Sequence, residues 1–187
     1  MGSIYLETER VRLREFDADD EDHLFELDSD PEVMRFLTEG VPSTREHVQG
    51  GLGRIEALRV KHGGRFGFWA AIERSSGAFM GWFHFRPSRS TPDDTSRIEL
   101  GYRLKATFWG RGLATEVSKA LVEKGFRDLG VETIFAIAAK GNLRSRRVME
   151  KCGLSYVRDF VEHDLPPSLR DAVEYATSRN ERGSRHG

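Results

Sequence analysis

The chain has 187 residues, 38% hydrophobic and 32% charged, enough for one domain with a proper core and unlike a disordered, collagen-like or membrane sequence. Its 29 lysines and arginines against 30 acids leave a net charge of −1, which excludes the domain-wide basic excess of a duplex binder. That charge is unevenly sorted: residues 1–40 carry 13 acids and four arginines, whereas residues 103–151 carry 11 basic and five acidic residues.

The first residues show no basic segment followed by an apolar one, so a cytoplasmic chain is expected. Val11 and Leu13 alternate with Arg12 and Arg14, predicting a first strand, and Asp17 to Leu27 follows as a helix with an acid-rich first turn. Asp30-Pro31 reads as a helix start. Ser43-Thr44-Arg45-Glu46 matches a capping box, opening a helix toward Lys61 that Gly63-Gly64 stops. From Arg65 the character changes. Phe66 to Glu73, Phe79 to Phe85 and Arg97 to Leu104 are short aromatic or branched runs, predicting an antiparallel meander.

A helix is expected from about Gly112 to Asp128, a buried strand over Thr133 to Ala139, and a helix from Leu143 to Cys152 ended by Gly153. Ser155 to Val161 and Ala172 to Thr177 are read as the last strands. The order is mixed α/β in a single domain over residues 1–178, with a flexible tail over 179–187. Neither Phe66 to Ile72 nor Ile134 to Ala139, the longest apolar runs, approaches the ~20 residues that span a bilayer. Cys152 is the only cysteine, which excludes an intrachain disulfide, and the six histidines form no spaced metal cluster.

The strongest local feature is Leu104-Lys105-Ala106-Thr107-Phe108-Trp109-Gly110-Arg111-Gly112-Leu113-Ala114-Thr115-Glu116, a strand passing through a glycine-punctuated loop into a helix. Such a junction aims unpaired N–H groups and the positive end of the helix dipole at one point, which suits a phosphate. Taken alone, two glycines before a helix equally describe a tightly packed helix start. The segment lacks the lysine of a P-loop and the third glycine of a dinucleotide fold.

Trp109-Gly110-Arg111-Gly112-Leu113-Ala114 resembles the acyl-CoA pyrophosphate loop of the GNAT superfamily of N-acetyltransferases, with Trp109 where that pattern has Arg or Gln. The Trp-Gly version, together with Asn142, Ser145 and the run Glu150-Lys151-Cys152-Gly153-Leu154, is similar to the Rim-type ribosomal-protein N-terminal acetyltransferases. The opening Thr8 to Arg14 resembles their first strand, so the likeness spans residues 8 to about 177. It implies a mostly antiparallel central sheet, splayed between the fourth and fifth strands, with helices on both faces.

The resemblance further implies acetyl-CoA as cosubstrate and no metal. Backbone N–H groups of Gly110, Arg111, Gly112, Leu113, Ala114 and Thr115, with Trp109 beside them, are expected to hold the pyrophosphate, while Tyr102, Leu104 and Asn142 border the pantetheine arm. Lys140, Arg144, Arg146 and Arg147 join Arg111 in a basic region suited to phosphate charge. Acetyl transfer to an amine also needs a proton acceptor, since α-amino groups (pKa ~8) and lysines (~10.4) are largely protonated at neutral pH.

Ile98, Leu100, Tyr102 and Leu104 share one face of their strand, which puts Glu99 and Gly101 on the other. Glu99 is the favoured base, with an ion pair to Arg86 or Arg97 as its structural alternative, and His84 is the second candidate. Gly101 is expected to permit a bulge where strands 97–104 and 133–139 separate, freeing an oxyanion donor. Met149 occupies the place where many relatives carry a tyrosine acid, which methionine cannot replace; Ser145, in the subgroup's serine position, is the candidate donor to the departing sulfur, the alternative being that a thiol of pKa ~8.5 leaves unaided. Glu116 reads as a dipole-favoured helix residue. Cys152, at a helix C-terminus, is disfavoured as a nucleophile, so direct transfer in a ternary complex is expected.

The acceptor is then a primary amine, a protein N-terminus or a small molecule, and the acidic N-terminal helices hint at a cationic one. No nucleic acid or membrane partner is expected, and a homodimer stays open. Two rival readings remain: a non-catalytic CoA-binding sensor, and an enzyme using another acyl-CoA or an antibiotic-type amine.

Overall fold

The computed structural model describes residues 2–183. Eight strands form one open sheet: β1 (Ile4–Glu7), β2 (Val11–Arg14), β3 (Gly67–Glu73), β4 (Phe79–Pro87), β5 (Arg97–Leu104), β6 (Thr133–Ala139), β7 (Ser155–Val161) and β8 (Asp171–Ser178). Their order is β1-β2-β3-β4-β5-β6-β8-β7, and every neighbouring pair is antiparallel except β5 and β6. The helices are α1 (Asp20–Ser29), α2 (Pro31–Met34), α3 (Arg45–Lys61), α4 (Leu113–Asp128), α5 (Leu143–Lys151) and α6 (Arg179–Gly183).

Period-two alternation on β4 and β5 divides the molecule into two packed layers. Ile98, Leu100 and Leu104 point into a core with Leu113, Val117 and Leu121 of α4, and that core continues through Phe83, Phe85, Ile134, Val173 and Tyr175. On the other face Leu24, Leu27 and Val48 of α1 and α3 pack over Ala70 and Phe79, with Trp82 at the margin. The α1 and α3 layer contacts β3 and β4.

Local chemistry sets the ends of these elements. Asp30 caps α2 by accepting from the Glu32 N–H, with Pro31 in the first position. The cap of α3 is Thr44, accepting from the His47 N–H, and not Ser43 as the capping-box pattern reads. The first helix starts at Asp20, later than expected, because Asp20 turns inward: it is fully buried and takes two bonds from Arg14, at 2.6 and 2.8 Å, and one from the Asp17 N–H at 2.9 Å. Asp20→Asn keeps the shape but removes the charge opposite Arg14. Hydrogen bonds to charged groups contribute about 1.5–3 kcal/mol, so a loss of roughly 2 kcal/mol is expected, read as a lower denaturation midpoint at unchanged m-value.

Two features depart from the sequence reading. Ile4–Glu7 is an additional edge strand that pairs with β2 across a turn in which the Thr8 hydroxyl and Val11 backbone bond each other. Residues 179–183, assigned to a flexible tail, form α6, where Arg179 donates to the Phe126 and Val131 carbonyls; the rest of that tail lies outside the described residues.

Candidate active site

β5 and β6 run side by side only from Arg97 to Glu99, opposite Thr133 to Phe135. Beyond Glu99 they separate, which is the expected splay between the fourth and fifth predicted strands, here β5 and β6 because β1 adds to the count. The gap belongs to a cleft of about 2290 Å³ that both layers line. This is well above the roughly 300–1,000 Å³ usual for a small-molecule pocket, which leaves room for a long cosubstrate and a separate acceptor.

On the α4 side the loop 109–112 forms the cleft wall. Gly110 and Gly112 sit at φ +73° and +78°, conformations that a Cβ disfavours. Their left-handed turns leave the N–H groups of residues 110 to 115 without an acceptor among the described residues, the first helical bond being from Glu116 to the Gly112 carbonyl. Six unpaired donors at a helix N-terminus form an anion cradle. Trp109 does not contribute its N–H to it: the indole donates to the Leu104 carbonyl at 2.8 Å and packs between the two cores, fixing the loop. The Arg111 guanidinium pairs with Glu73 and lies 5.4 Å over the Phe108 ring, so its side chain braces the loop as well.

Glu116 would oppose an anion, but Arg10 neutralises it through backbone and side-chain bonds at 2.9 and 2.7 Å. Burial raises the Glu116 pKa, and the bonds from Thr8 and Arg10 outweigh it, so the group stays ionised. Of the basic region, Lys140 pairs with Asp159 and Arg146 bonds Tyr175. Arg144, Arg147 and Lys151 line the cleft and form no ion pair among the described residues. Asn142 caps α5 by accepting from the Ser145 N–H at 3.1 Å. Burial pushes the Tyr102 phenol up to about 12, against an opposing pull from Ser145. Leu104 and Met149 belong to the core, and Cys152 is buried at the end of α5 with its thiol toward the Thr115 carbonyl.

The opposite side of the splay carries the titratable cluster. Register places Phe68, Trp82, His84, Arg86, Glu99 and Gly101 on the α1 and α3 face. Glu99 is buried and bonded to Arg86 (Oε2 to Nη2, 2.8 Å), the ion pair that the sequence offered as its alternative to a base. Burial alone would raise the Glu99 carboxyl, but His84 and Arg86 outweigh it and hold it at about 2. The His84 Nε2 stands 3.4 Å from Glu99 Oε1, short of a formed hydrogen bond, and neither ring nitrogen has a hydrogen-bond partner among the described residues. Burial lowers the His84 pKa from its ordinary 6.5, against the opposing pull of Glu99, so the imidazole is neutral at pH 7.

Gly101 does not form the expected bulge, since β4 and β5 pair without a break from Gly81 to Pro87. Its purpose is space: a Cβ there would stand 2.5 Å from the His84 Cε1 and Nε2 atoms. The imidazole itself is boxed by Phe68 and Trp82, at 5.0 and 5.8 Å between ring centroids. Of the acids on the N-terminal helices, Asp22, Glu26 and Asp28 pair with Arg45, Lys105 and Arg103, whereas Glu32 lines the cleft with no ion pair among the described residues.

An anion cradle thus stands on one side of the strand splay and a buried neutral histidine on the other. Residues 10–155 match the acetyltransferase (GNAT) domain. The chain is 32% identical over 184 residues to the FsC-acetyl coenzyme A-N(2)-transacetylase of Aspergillus fumigatus, covering 94% of this chain and 77% of the relative. A GNAT-family acetyltransferase from Bacillus anthracis superposes with a TM-score of 0.80 at 22% identity, over 95% of this chain and 99% of that one. RimL, a ribosomal L7/L12 alpha-N-protein acetyltransferase solved with coenzyme A, superposes at 0.77 with 14% identity, over 94% and 98%. The chain belongs to the GNAT family and is an acetyl-CoA-dependent N-acetyltransferase.

Proposed function

We propose that the protein transfers the acetyl group of acetyl-CoA directly to a primary amine while both substrates are bound. The observation that carries this reading is the pairing of six unpaired loop amides with a neutral, unpartnered histidine across one splay. The amides of Gly110 to Thr115 hold the diphosphate, Asn142 and Tyr102 border the thioester arm, and the uncovered edge of β5 beyond Glu99 supplies an amide to the oxyanion. The 32% identical relative is named for acetyl coenzyme A and an N(2) acceptor, in keeping with N-acetylation.

In this reading Glu99 and His84 divide the work that the sequence assigned to Glu99. A carboxylate held at about 2 is a poor acceptor for a proton from an ammonium group, whereas the neutral imidazole takes that proton and Glu99 stabilises the imidazolium. Ser145 donates to the departing sulfur; a thiol of ordinary pKa near 8.5 also leaves unaided as thiolate. The buried Cys152 stays out of the reaction.

Purified protein incubated with acetyl-CoA and a panel of amines is expected to release CoA only when an amine is present, with acetylated product visible by mass. CoA binding without acceptor-dependent release would instead establish a non-catalytic sensor. Faster release from a longer acyl-CoA, or with an antibiotic-type amine, would redefine the substrate.

A further inference from the structure

The face that carries His84 and Glu99 ends in a charge group that neither the core nor the proton transfer uses. Glu174 on β8 is 4% exposed and accepts from two arginines. Arg97 of β5 bonds Oε1, and Arg158 of β7 bonds Oε2 through Nε and Nη2, both at 2.8 Å. Register keeps this cluster on the acceptor side: Glu174 opposes Ile137 on β6 and Arg158 on β7, while Arg97 lies two residues before Glu99 on β5.

Each guanidinium is also held against a ring, Arg97 at 4.3 Å from the Phe135 centroid and Arg158 at 5.3 Å from that of Phe160. Both arginines line the cleft, with side chains 38% and 61% exposed. Glu174 engages only part of their ten N–H donors, and none of the rest is a buried donor without a partner. Two fixed cations on one buried carboxylate leave a unit of positive charge facing the cleft. Of the acids nearby, Asp94 accepts from Ser96 and meets Arg97 only through its backbone and its charge, Asp164 is turned to Arg89, and Glu162 accepts from the Asp164 N–H, so none forms an ion pair with the cluster.

We propose that Arg97 and Arg158, held by Glu174, bind a carboxylate or phosphate on the acceptor, so that the enzyme acetylates anionic amines. This rests on the proposed transfer to a primary amine and adds the acceptor's charge to it. Arg97 lies two residues, about 7 Å along β5, from Glu99, whose Oε1 stands 3.4 Å from the His84 Nε2, which sets the clamp on the order of 10 Å from the imidazole.

The test compares four amines with saturating acetyl-CoA: 5-aminopentanoate, 3-aminopropyl phosphate, pentylamine and 1,5-diaminopentane. At least one anionic amine is expected to exceed pentylamine at least ~10-fold in kcat/KM, the better of the two assigning carboxylate or phosphate. In Arg158→Gln that ratio falls toward one while the melting temperature and CoA affinity hold; Arg158→Lys retains part of it. Equal rates on all four amines, or an intact ratio in Arg158→Gln, overturns the clamp. Turnover of none of them overturns the transfer to amines instead, and titration of glutarate into the CoA complex then reads the clamp alone. Heat that disappears in Arg158→Gln supports it, and no heat in the wild type sinks it.

Discussion

Gly112→Val is expected to raise the dissociation constant for CoA about 100-fold, close to 2.7 kcal/mol, in a protein that still folds. Gly112 is the N-cap of α4 at φ +78°, a conformation in which a β-branched residue is a genuine outlier. The nearest atom to an added Cβ is the Arg10 Nη2 at 3.7 Å, an ordinary contact, so the substitution meets backbone strain and not a clash. Relief of that strain turns the Arg111 and Gly112 peptides out of the left-handed turn. The amides then no longer converge on one point, although α4 keeps its buried face of Leu113, Val117 and Leu121. Calorimetric titration with CoA measures the loss, and a melting curve shifted by only a few degrees separates it from unfolding. Unchanged affinity would show that the diphosphate is held elsewhere, and the cradle would lose its role.

The cradle was legible in the sequence because every part of it is local. Gly110, Gly112 and the start of α4 lie within a few residues, and the physics of a helix N-terminus needs no tertiary information. Strands β5, β6 and β7 were legible for the same reason, through alternation and flanking turns. The short β1 was not, since Ile4–Glu7 has four residues and an exposed face, and its strand character comes from pairing with β2.

Misreadings arose where a residue's partner is distant in the chain. Alternation put Glu99 and Gly101 on one face, but only the register with β4 shows that Gly101 makes room for His84. The pairing within the acid-rich N-terminus was equally hidden, because the arginines and lysine that meet Asp22, Asp28 and Glu26 come from α3, β5 and the following loop. The Arg97, Glu174 and Arg158 group joins three strands and carried no sequence signal at all.

His84→Ala is expected to lower kcat/KM by 10²–10³-fold, within the roughly 10²–10⁴ range for a positioned acid or base, with CoA affinity unchanged. The pH dependence gives the finer discrimination. In the wild type, activity falls as pH drops through the His84 pKa, which burial places below 6.5. Glu99→Gln removes the carboxylate that favours the imidazolium, so that pKa moves further down: the acid limb of the profile shifts to lower pH while the plateau falls, because the imidazole becomes a weaker acceptor. Were Glu99 itself the base, the limb would lie near its own value of about 2, and Glu99→Gln would abolish it instead of moving it. Stability follows the same signs. Both groups have folded-state pKa values below their ordinary ones, so the folded state binds fewer protons than the unfolded chain and loses stability as pH falls. The His84 contribution fades below pH 6.5 and that of Glu99 between about 4.5 and 2. Gly101→Ala tests the positioning independently: its Cβ would displace the imidazole against Phe68 and Trp82, lowering kcat while the loop amides still bind CoA. A Gly101→Ala enzyme with full activity would mean that the imidazole need not stand where β5 leaves space for it.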